Sequence, residues 1–362
     1  MEGAPAGEMA GAMLATRFMD YMRPLDPTRN ITSNSHFTLG SNGSIMSVLP
    51  MVGLTYDYAS LDKIHAGRPD TPVLNGESAS CQSDRADADS SEVLACTQSS
   101  WAPAAARVWD AGAFVWSGFD YRGEVSWPDV ISFYGVLDFC GLDKPVADWY
   151  YAWWGRDAGA PASRVRASPA WSAAAGARVT ITGVAAAAAL QLTVNGVAVG
   201  GRASVAELGF ATWAVDFAPG NYTVDSFDSA GAPLGSFTSV TPGAAAALRA
   251  TVEWPGSAAG GALAAGGRDA ALITVAVVDA AGVVVRGAAH NVTFSISGGE
   301  LRALCNGDHQ GHAPAEGPTS TPVYDGLARA MVRSAAVATG APLRLSVSAD
   351  GLTGASVELA VV

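Results

Sequence analysis

The stretch Phe114–Trp127, FVWSGFDYRGEVSW, decides how the fold of this sequence is interpreted. It is apolar as far as Trp116 and then turns abruptly polar, with Asp120 and Glu124 among its aromatic residues. A buried strand whose carboxyl end carries aromatic and charged side chains is typical of the mouth of an enzyme barrel. The alternative is a tryptophan-capped strand of any α/β or β domain.

Strand and helix patterns alternate before this stretch. The four-residue spacing of Ala10, Leu14, Phe18 and Met22 predicts an amphipathic helix over residues 5–23, which a proline then stops. Short strands are predicted at 30–33, 48–58, 71–80 and 112–116, and a second helix at 91–110. This alternation favours a parallel sheet covered by helices, and four such units are half of an eight-fold barrel.

The pattern changes after Trp154. Residues 156–176 are rich in Gly, Ala, Ser and Pro and predict a linker. Beyond them only strands and turns follow, including a hairpin with the turn dipeptide Asn195-Gly196. We therefore predict a multidomain α/β plus all-β chain: a half barrel over 1–155, a β-sandwich module over 177–243 and an immunoglobulin-like β-sandwich module over 246–362.

Composition excludes some classes of function. The chain has 362 residues and a net charge of -12, which disfavours a surface for nucleic acid but not for neutral sugars. We expect no membrane span, because the longest weakly polar stretch, 183–200, contains Gln191, Thr193 and Asn195. The N-terminus lacks the pattern of a signal peptide, although four glycosylation sequons, at Asn30, Asn42, Asn221 and Asn291, permit a secretory route.

The four cysteines lack the close spacing of a zinc site. Cys81 and Cys96 are near enough in sequence to pair, but we predict four buried thiols. The spacing His309-x-x-His312 indicates a metal only weakly, and a loop is favoured there.

Several motifs together resemble glycoside hydrolase family 2, and the match is closest to its β-galactosidase-like members. Val73–Ser80 (VLNGESAS) and the Phe114 stretch resemble the segments of barrel strands seven and eight, and 26–29 and 52–56 resemble those around strands five and six. The resemblance continues through 133–141, 149–154, 192–200 and 305–308. It implies strands five to eight of a (β/α)8 TIM barrel followed by C-terminal sandwich modules.

The resemblance also implies roles for three residues. Glu77 matches the catalytic nucleophile of a retaining glycosidase, which attacks the anomeric carbon and forms a glycosyl-enzyme ester. Trp116 matches an aromatic residue that packs against the sugar, and Tyr56 matches a tyrosine that hydrogen-bonds the nucleophile. This chemistry needs two carboxyl groups, and no metal or cofactor is expected.

Other polar residues are weaker candidates. His36 and His65 are possible partners of sugar hydroxyls, although a surface position is favoured for both. Asp120 and Glu124 are predicted to order the loop after strand eight. The small residues around Glu77 are expected to leave room for a sugar ring.

The proton donor of the family, a Glu after an Asn at the end of strand four, has no clear match. Glu2 lies in about the right place, but Met1 stands where the Asn is expected. We therefore expect a truncated and inactive form of a retaining β-glycosidase, with a β-glycoside as its carbohydrate partner. The alternative is a non-catalytic carbohydrate-binding or scaffold protein that acts through its sandwich modules.

Overall fold

A computed structural model describes residues 9–35, 45–157, 161, 163–207, 209–337 and 340–362. The chain divides into two compact units. The first contains Met1–Gln82 and Glu92–Gly118, and the second contains Ser83–Ser91 and Phe119–Val362. This division differs from the predicted boundary at residue 155, because 119–155 and the short segment 83–91 pack with the C-terminal strands. Within the described residues, no helix has the length and apolar character needed to span a bilayer.

The first unit is a parallel α/β sheet. Its elements in chain order are α1 (Met9–Met22), β1 (Asn34–Ser35), β2 (Val52–Thr55), α2 (Leu61–Gly67), β3 (Val73–Ser78), α3 (Ser91–Ala105) and β4 (Asp110–Val115). Short 3-10 helices lie at Ile45–Ser47 and Tyr58–Ser60. The strands pair in sequence order, β1-β2-β3-β4, and every pairing is parallel. The first strand lies just after its predicted position at 30–33.

Helix α1 has a different buried face from the one that its spacing suggests. Leu14 and Phe18 are 45% and 43% exposed, whereas Ala15 and Met19 are buried against Ile45 and neighbouring core residues. Leu14 and Phe18 form one apolar stripe along the helix, and Ala15 and Met19 form a second one, each residue one position later in the sequence. Periodicity alone cannot choose between adjacent apolar stripes, since the tertiary partner decides which one is covered.

The second unit contains two pairs of sheets, as the sandwich prediction requires. The first pair consists of β7 (Val165–Ser168), β8 (Arg178–Ala185), β9 (Ala189–Val194), β10 (Val197–Ser204), β11 (Phe210–Asp216), β12 (Asn221–Phe227) and β13 (Pro233–Val240). Its sheets have the orders β10-β9-β12-β13 and β11-β8-β7. Strand β7 and the buried Trp171 lie inside the segment predicted as a linker.

The second pair of sheets forms the C-terminal module. Its strands are β14 (Ala245–Trp254), β15 (Ala270–Asp279), β16 (Asn291–Ser297), β17 (Gly299–Cys305), β18 (Ser320–Pro322), β19 (Leu327–Ser334), β20 (Leu343–Ser348) and β21 (Ala355–Leu359). The sheet orders are β14-β15-β19-β17 and β18-β16-β20-β21, and a core of Val, Leu, Ile and Ala side chains fills the space between them.

Residues 119–157 connect these sheets to the first unit in sequence. They contain the two-stranded pair β5 (Tyr121–Arg122) and β6 (Ile131–Ser132) and the helix α4 (Pro145–Asp157). As predicted, Asp120 and Glu124 order this region: buried Asp120 accepts a hydrogen bond from the Gly135 amide at 2.8 Å and pairs with Lys144 Nζ at 2.8 Å. The Glu124 carboxylate accepts the Tyr121 hydroxyl at 2.5 Å.

The prediction of four buried thiols is wrong. Cys81 pairs with Cys96 in the first unit, and Cys140 pairs with Cys305 in the second, each with a Cα–Cα distance of 5.9 Å. The second pair is separated by 165 residues. A separation of that length carries no local sequence signal, because only the fold brings the turn that contains Cys140 to the end of β17 at Cys305.

Asp148 on α4 gives a testable dependence of stability on pH. Burial raises the pKa of Asp148 to about 6, against the opposing effects of Arg166 and Arg164. The Asp148 carboxyl group therefore binds its proton more tightly in the folded chain than in the unfolded chain. As the pH rises from about 4 to 6 this proton is lost, and the free energy of unfolding should fall. Asp148→Asn removes this fall, which is on the order of 2 kcal/mol.

Denaturant unfolding of the wild type and of Asp148→Asn at pH 4.5 and pH 7 measures the difference. The variant should gain stability relative to the wild type at pH 7 only. The same substitution at exposed Asp350, which is not among the groups that shift the pKa of Asp148, is the matched control. A variant that is less stable than the wild type at pH 7 would show that the ion pairs with Arg164 and Arg166 outweigh burial.

Candidate active site at the carboxyl edge of the parallel sheet

The three residues singled out in the sequence lie at one edge of the parallel sheet. Tyr56 follows β2, Glu77 is the penultimate residue of β3, and Trp116 follows β4. The Tyr56 amide donates to the Glu77 carbonyl at 3.1 Å, and the Trp116 amide donates to the Ser78 carbonyl at 2.7 Å. Since all pairings are parallel, the carboxyl ends meet at this edge, where ligands bind in open and closed α/β sheets.

A β-bulge in β3 sets the position of Glu77. Leu54 pairs with Asn75 and Thr55 pairs with Glu77, so Gly76 is an extra residue with no partner in β2. A bulge interrupts the regular alternation of side chains and re-aims the residue that follows it. The strand therefore presents Glu77 differently from a regular strand with the same sequence.

Two glycines make room for Asn34 beside Glu77. A Cβ atom built on Gly76 would lie 1.9 Å from Asn34 Oδ1, and one built on Gly53 would lie 2.5 Å from the same atom. The Asn34 side chain thus occupies the space that larger residues on β2 and β3 would fill. Sequence reasoning missed Asn34, because nothing local shows that β1 lies over both glycines.

The phenol of Tyr56 contacts the Glu77 carboxyl group directly. Its hydroxyl hydrogen-bonds the side chains of Glu77 and Ser80, and burial raises the pKa of Tyr56, with Glu77 adding to the rise. The phenol therefore stays protonated throughout the physiological range and donates to the carboxylate. Tyr56 holds this position with a left-handed backbone, φ 54°, which is uncommon outside glycine. Strained backbone of this kind is concentrated at functional sites.

Buried polar residues support the strand that carries Glu77. Asn75 is fully buried and its Nδ2 donates to Asp110 Oδ2 at 2.8 Å, while Ser78 Oγ donates to the Phe114 carbonyl at 2.9 Å. These two residues were expected to leave room for a sugar. Their side chains also join β3 to β4 and fix the register on both sides of Glu77.

The remaining candidates lie elsewhere. His65 is in helix α2, where its ring stacks on Trp109 at a centroid distance of 4.1 Å. His309 Nδ1 lies 2.8 Å from Asp84 Oδ2, and the ring of His312 packs on Trp127. The two histidines therefore contact different residues of neighbouring loops. Glu2 and His36 lie outside the described residues. In the part of the chain that the structure covers, no group of three His, Cys, Asp or Glu side chains is arranged for a metal ion.

The chain matches several known proteins. Residues 256–358 match the model of the glycoside hydrolase family 2 C-terminal domain 5. The chain is 25% identical over 338 residues to a β-galactosidase of Bacteroides ovatus, BoGH2A, an alignment that covers 83% of this chain and 38% of that protein.

Solved structures share the fold. A glycosyl hydrolase family 2 member from Bacteroides cellulosilyticus has a TM-score of 0.80 at 18% identity, with 97% of this chain and 47% of that one covered. A β-glycosidase from Bacteroides vulgatus has a TM-score of 0.77 at 16% identity, with 96% and 49% covered. The chain therefore spans less than half the length of each of these relatives.

Proposed function

The chain resembles glycoside hydrolase family 2, as its motifs predict and the comparisons confirm, and from that premise we propose that it carries the nucleophile of a retaining β-glycosidase. In this proposal the four parallel strands correspond to strands five to eight of a (β/α)8 barrel, and the two sandwiches are immunoglobulin-like modules that follow it. The substrate class is a β-galactoside, by analogy with the β-galactosidase relative.

The hydrogen bond between Tyr56 and Glu77 carries the proposal. A nucleophilic carboxylate must be ionised, and the protonated phenol donates to that form. Attack of one Glu77 oxygen on the anomeric carbon expels the leaving group and forms a glycosyl ester. Water then hydrolyses the ester and regenerates the carboxylate. Trp116, half-buried at the end of β4, offers an indole face to the apolar side of the sugar ring.

A retaining mechanism also needs a carboxylic acid about 5–5.5 Å from the nucleophile to protonate the leaving group. The test should therefore use a substrate that does not require this acid. In 2,4-dinitrophenyl 2-deoxy-2-fluoro-β-galactoside the leaving group departs as a stable anion without a proton, and the fluorine slows hydrolysis of the ester.

We expect incubation with this reagent to add one fluorogalactosyl group to the peptide that contains Glu77, as measured by mass spectrometry of a digest. The Glu77→Gln chain should remain unlabelled, since an amide cannot form the ester. An adduct on another carboxylate, or an unlabelled wild-type chain, would refute the assignment of Glu77.

A second candidate function is non-catalytic carbohydrate binding, and the observation that favours it is a cleft in the second unit lined by residues 85–89, 143–148, 166–180, 237–242 and 283–289. An unlabelled chain that nevertheless binds sugar would support it over catalysis.

A further inference from the structure

The second unit contains a cleft of about 1170 Å³. One wall is formed by residues 85–89 and 143–148, a second by the first sandwich around β7, β8 and β13, and a third by loops 283–289 and 323–325 of the C-terminal module. Typical pockets for small molecules occupy about 300–1,000 Å³ and occur preferentially at such junctions. The cleft is therefore large enough for an oligomer rather than a single sugar.

Basic and acidic side chains are equal in number in the lining of the cleft. Five arginine or lysine side chains and five aspartates line it, whereas the whole chain has a net charge of -12. A ligand with a net charge of either sign gains little attraction from such a surface. Alanine, valine and proline side chains separate the charged groups, and Phe237 and Tyr324 add aromatic surface. Apolar walls with spaced donors and acceptors suit a neutral, polyhydroxylated ligand.

One buried donor in the lining lacks a hydrogen-bond partner. Arg85 is 8% exposed, and its Nε donates to Asp138 Oδ2 at 3.1 Å, while its Nη2 donates to the carbonyls of Asn306 and Tyr324 at 2.6 and 3.0 Å. Its Nη1 is buried with no hydrogen-bond partner, and the Asp325 carboxylate lies 3.8 Å away. A buried donor in this state costs about 1–3 kcal/mol.

We propose that this cleft binds a segment of a neutral oligosaccharide. The proposal rests on the proposed carbohydrate function and adds a second site, in the second unit, to the one at Glu77. Hydroxyl oxygens accept from the partly exposed Arg166, Arg178 and Arg286. Hydroxyl protons donate to the exposed carboxylates of the lining, Asp89 and Asp143, and the apolar faces of the sugar rings pack on the alanine, valine and aromatic surface.

Isothermal titration of the full chain with β-1,4-galactotetraose tests the proposal, and tetragalacturonate provides the anionic comparison. Ala173 is exposed and lines the cleft, whereas Ala174 is equally small and exposed but does not. We expect Ala173→Trp to weaken binding of the neutral tetramer at least tenfold, because the indole would occupy part of the surface on which the sugar rings pack. Ala174→Trp should bind within about twofold of the wild type.

The outcomes separate this site from the one at Glu77. Labelling of Glu77 by the fluorinated galactoside should be unchanged in Ala173→Trp, so failure of one proposal leaves the other standing. If Trp116→Ala rather than Ala173→Trp abolishes binding of the tetramer, the ligand occupies the Glu77 site and the cleft proposal is overturned. Absence of binding by the wild type, tighter binding of tetragalacturonate, or equal binding by both tryptophan variants would also overturn it.

Discussion

Replacing Glu77 with glutamine is expected to slow release of dinitrophenolate from 2,4-dinitrophenyl β-galactoside by roughly 10³-fold or more, which is the scale of loss when a covalent nucleophile is removed. The amide has nearly the same shape and still accepts the hydrogen bond from the Tyr56 hydroxyl. The loss would therefore report the missing nucleophile rather than a disturbed site. Stopped-flow absorbance of the released phenolate gives the rate directly.

Glu124→Gln is the matched control for this substitution. Glu124 is exposed, and its hydrogen bond to Tyr121 lies in the loop that it orders. We expect this variant to release phenolate within about twofold of the wild-type rate. Equal losses in both variants, or full activity in Glu77→Gln, would contradict the role of Glu77.

Replacing Lys144 with methionine is expected to destabilise the chain by about 3–5 kcal/mol, because it leaves a buried carboxylate without its counter-ion. Lys144 is 1% exposed and Asp120 is 5% exposed. The ammonium group donates to Asp120 Oδ1 at 2.8 Å and to the carbonyls of Ser83 and Phe133 at 2.7 and 3.1 Å. Methionine matches the length of the side chain but satisfies none of these acceptors. Denaturant unfolding measures the change.

The chain offers a close control for this second prediction, because its only other lysine, Lys63, is exposed. Lys63→Met should change the free energy of unfolding by less than about 0.5 kcal/mol. The double variant Lys144→Met with Asp120→Leu should recover part of the loss, since it removes the unpaired charge as well. If the double variant is no more stable than Lys144→Met, the uncompensated carboxylate is not the cause.

The sequence allowed the strands around the candidate site to be predicted because their signals are local. Runs such as 71–80 and 112–116 are apolar and end in polar groups, and the structure has strands β3 and β4 there. Their order along the chain is also their order in the sheet, which brings Tyr56, Glu77 and Trp116 to one edge. The roles of these three residues stay predictions until labelling and kinetics are measured.

Contacts between distant segments could not be predicted in the same way. Asn34 lies against Gly53 and Gly76, and the bulge at Gly76 depends on pairing with β2, so neither appears in the pattern of any one strand. The buried face of α1 likewise depends on what packs against it. Short-range periodicity predicts an element, whereas its register and partners follow from the whole fold.

The disulfide between Cys140 and Cys305 also has a topological consequence. It closes a covalent ring that contains α4 and the whole of the first sandwich. A single cut by a protease anywhere in the 141–304 backbone therefore opens the ring without separating the chain into two molecules. While the bond is oxidised, a nick in an exposed turn such as Asn195-Gly196 leaves the C-terminal module tethered to the segment that contains Cys140.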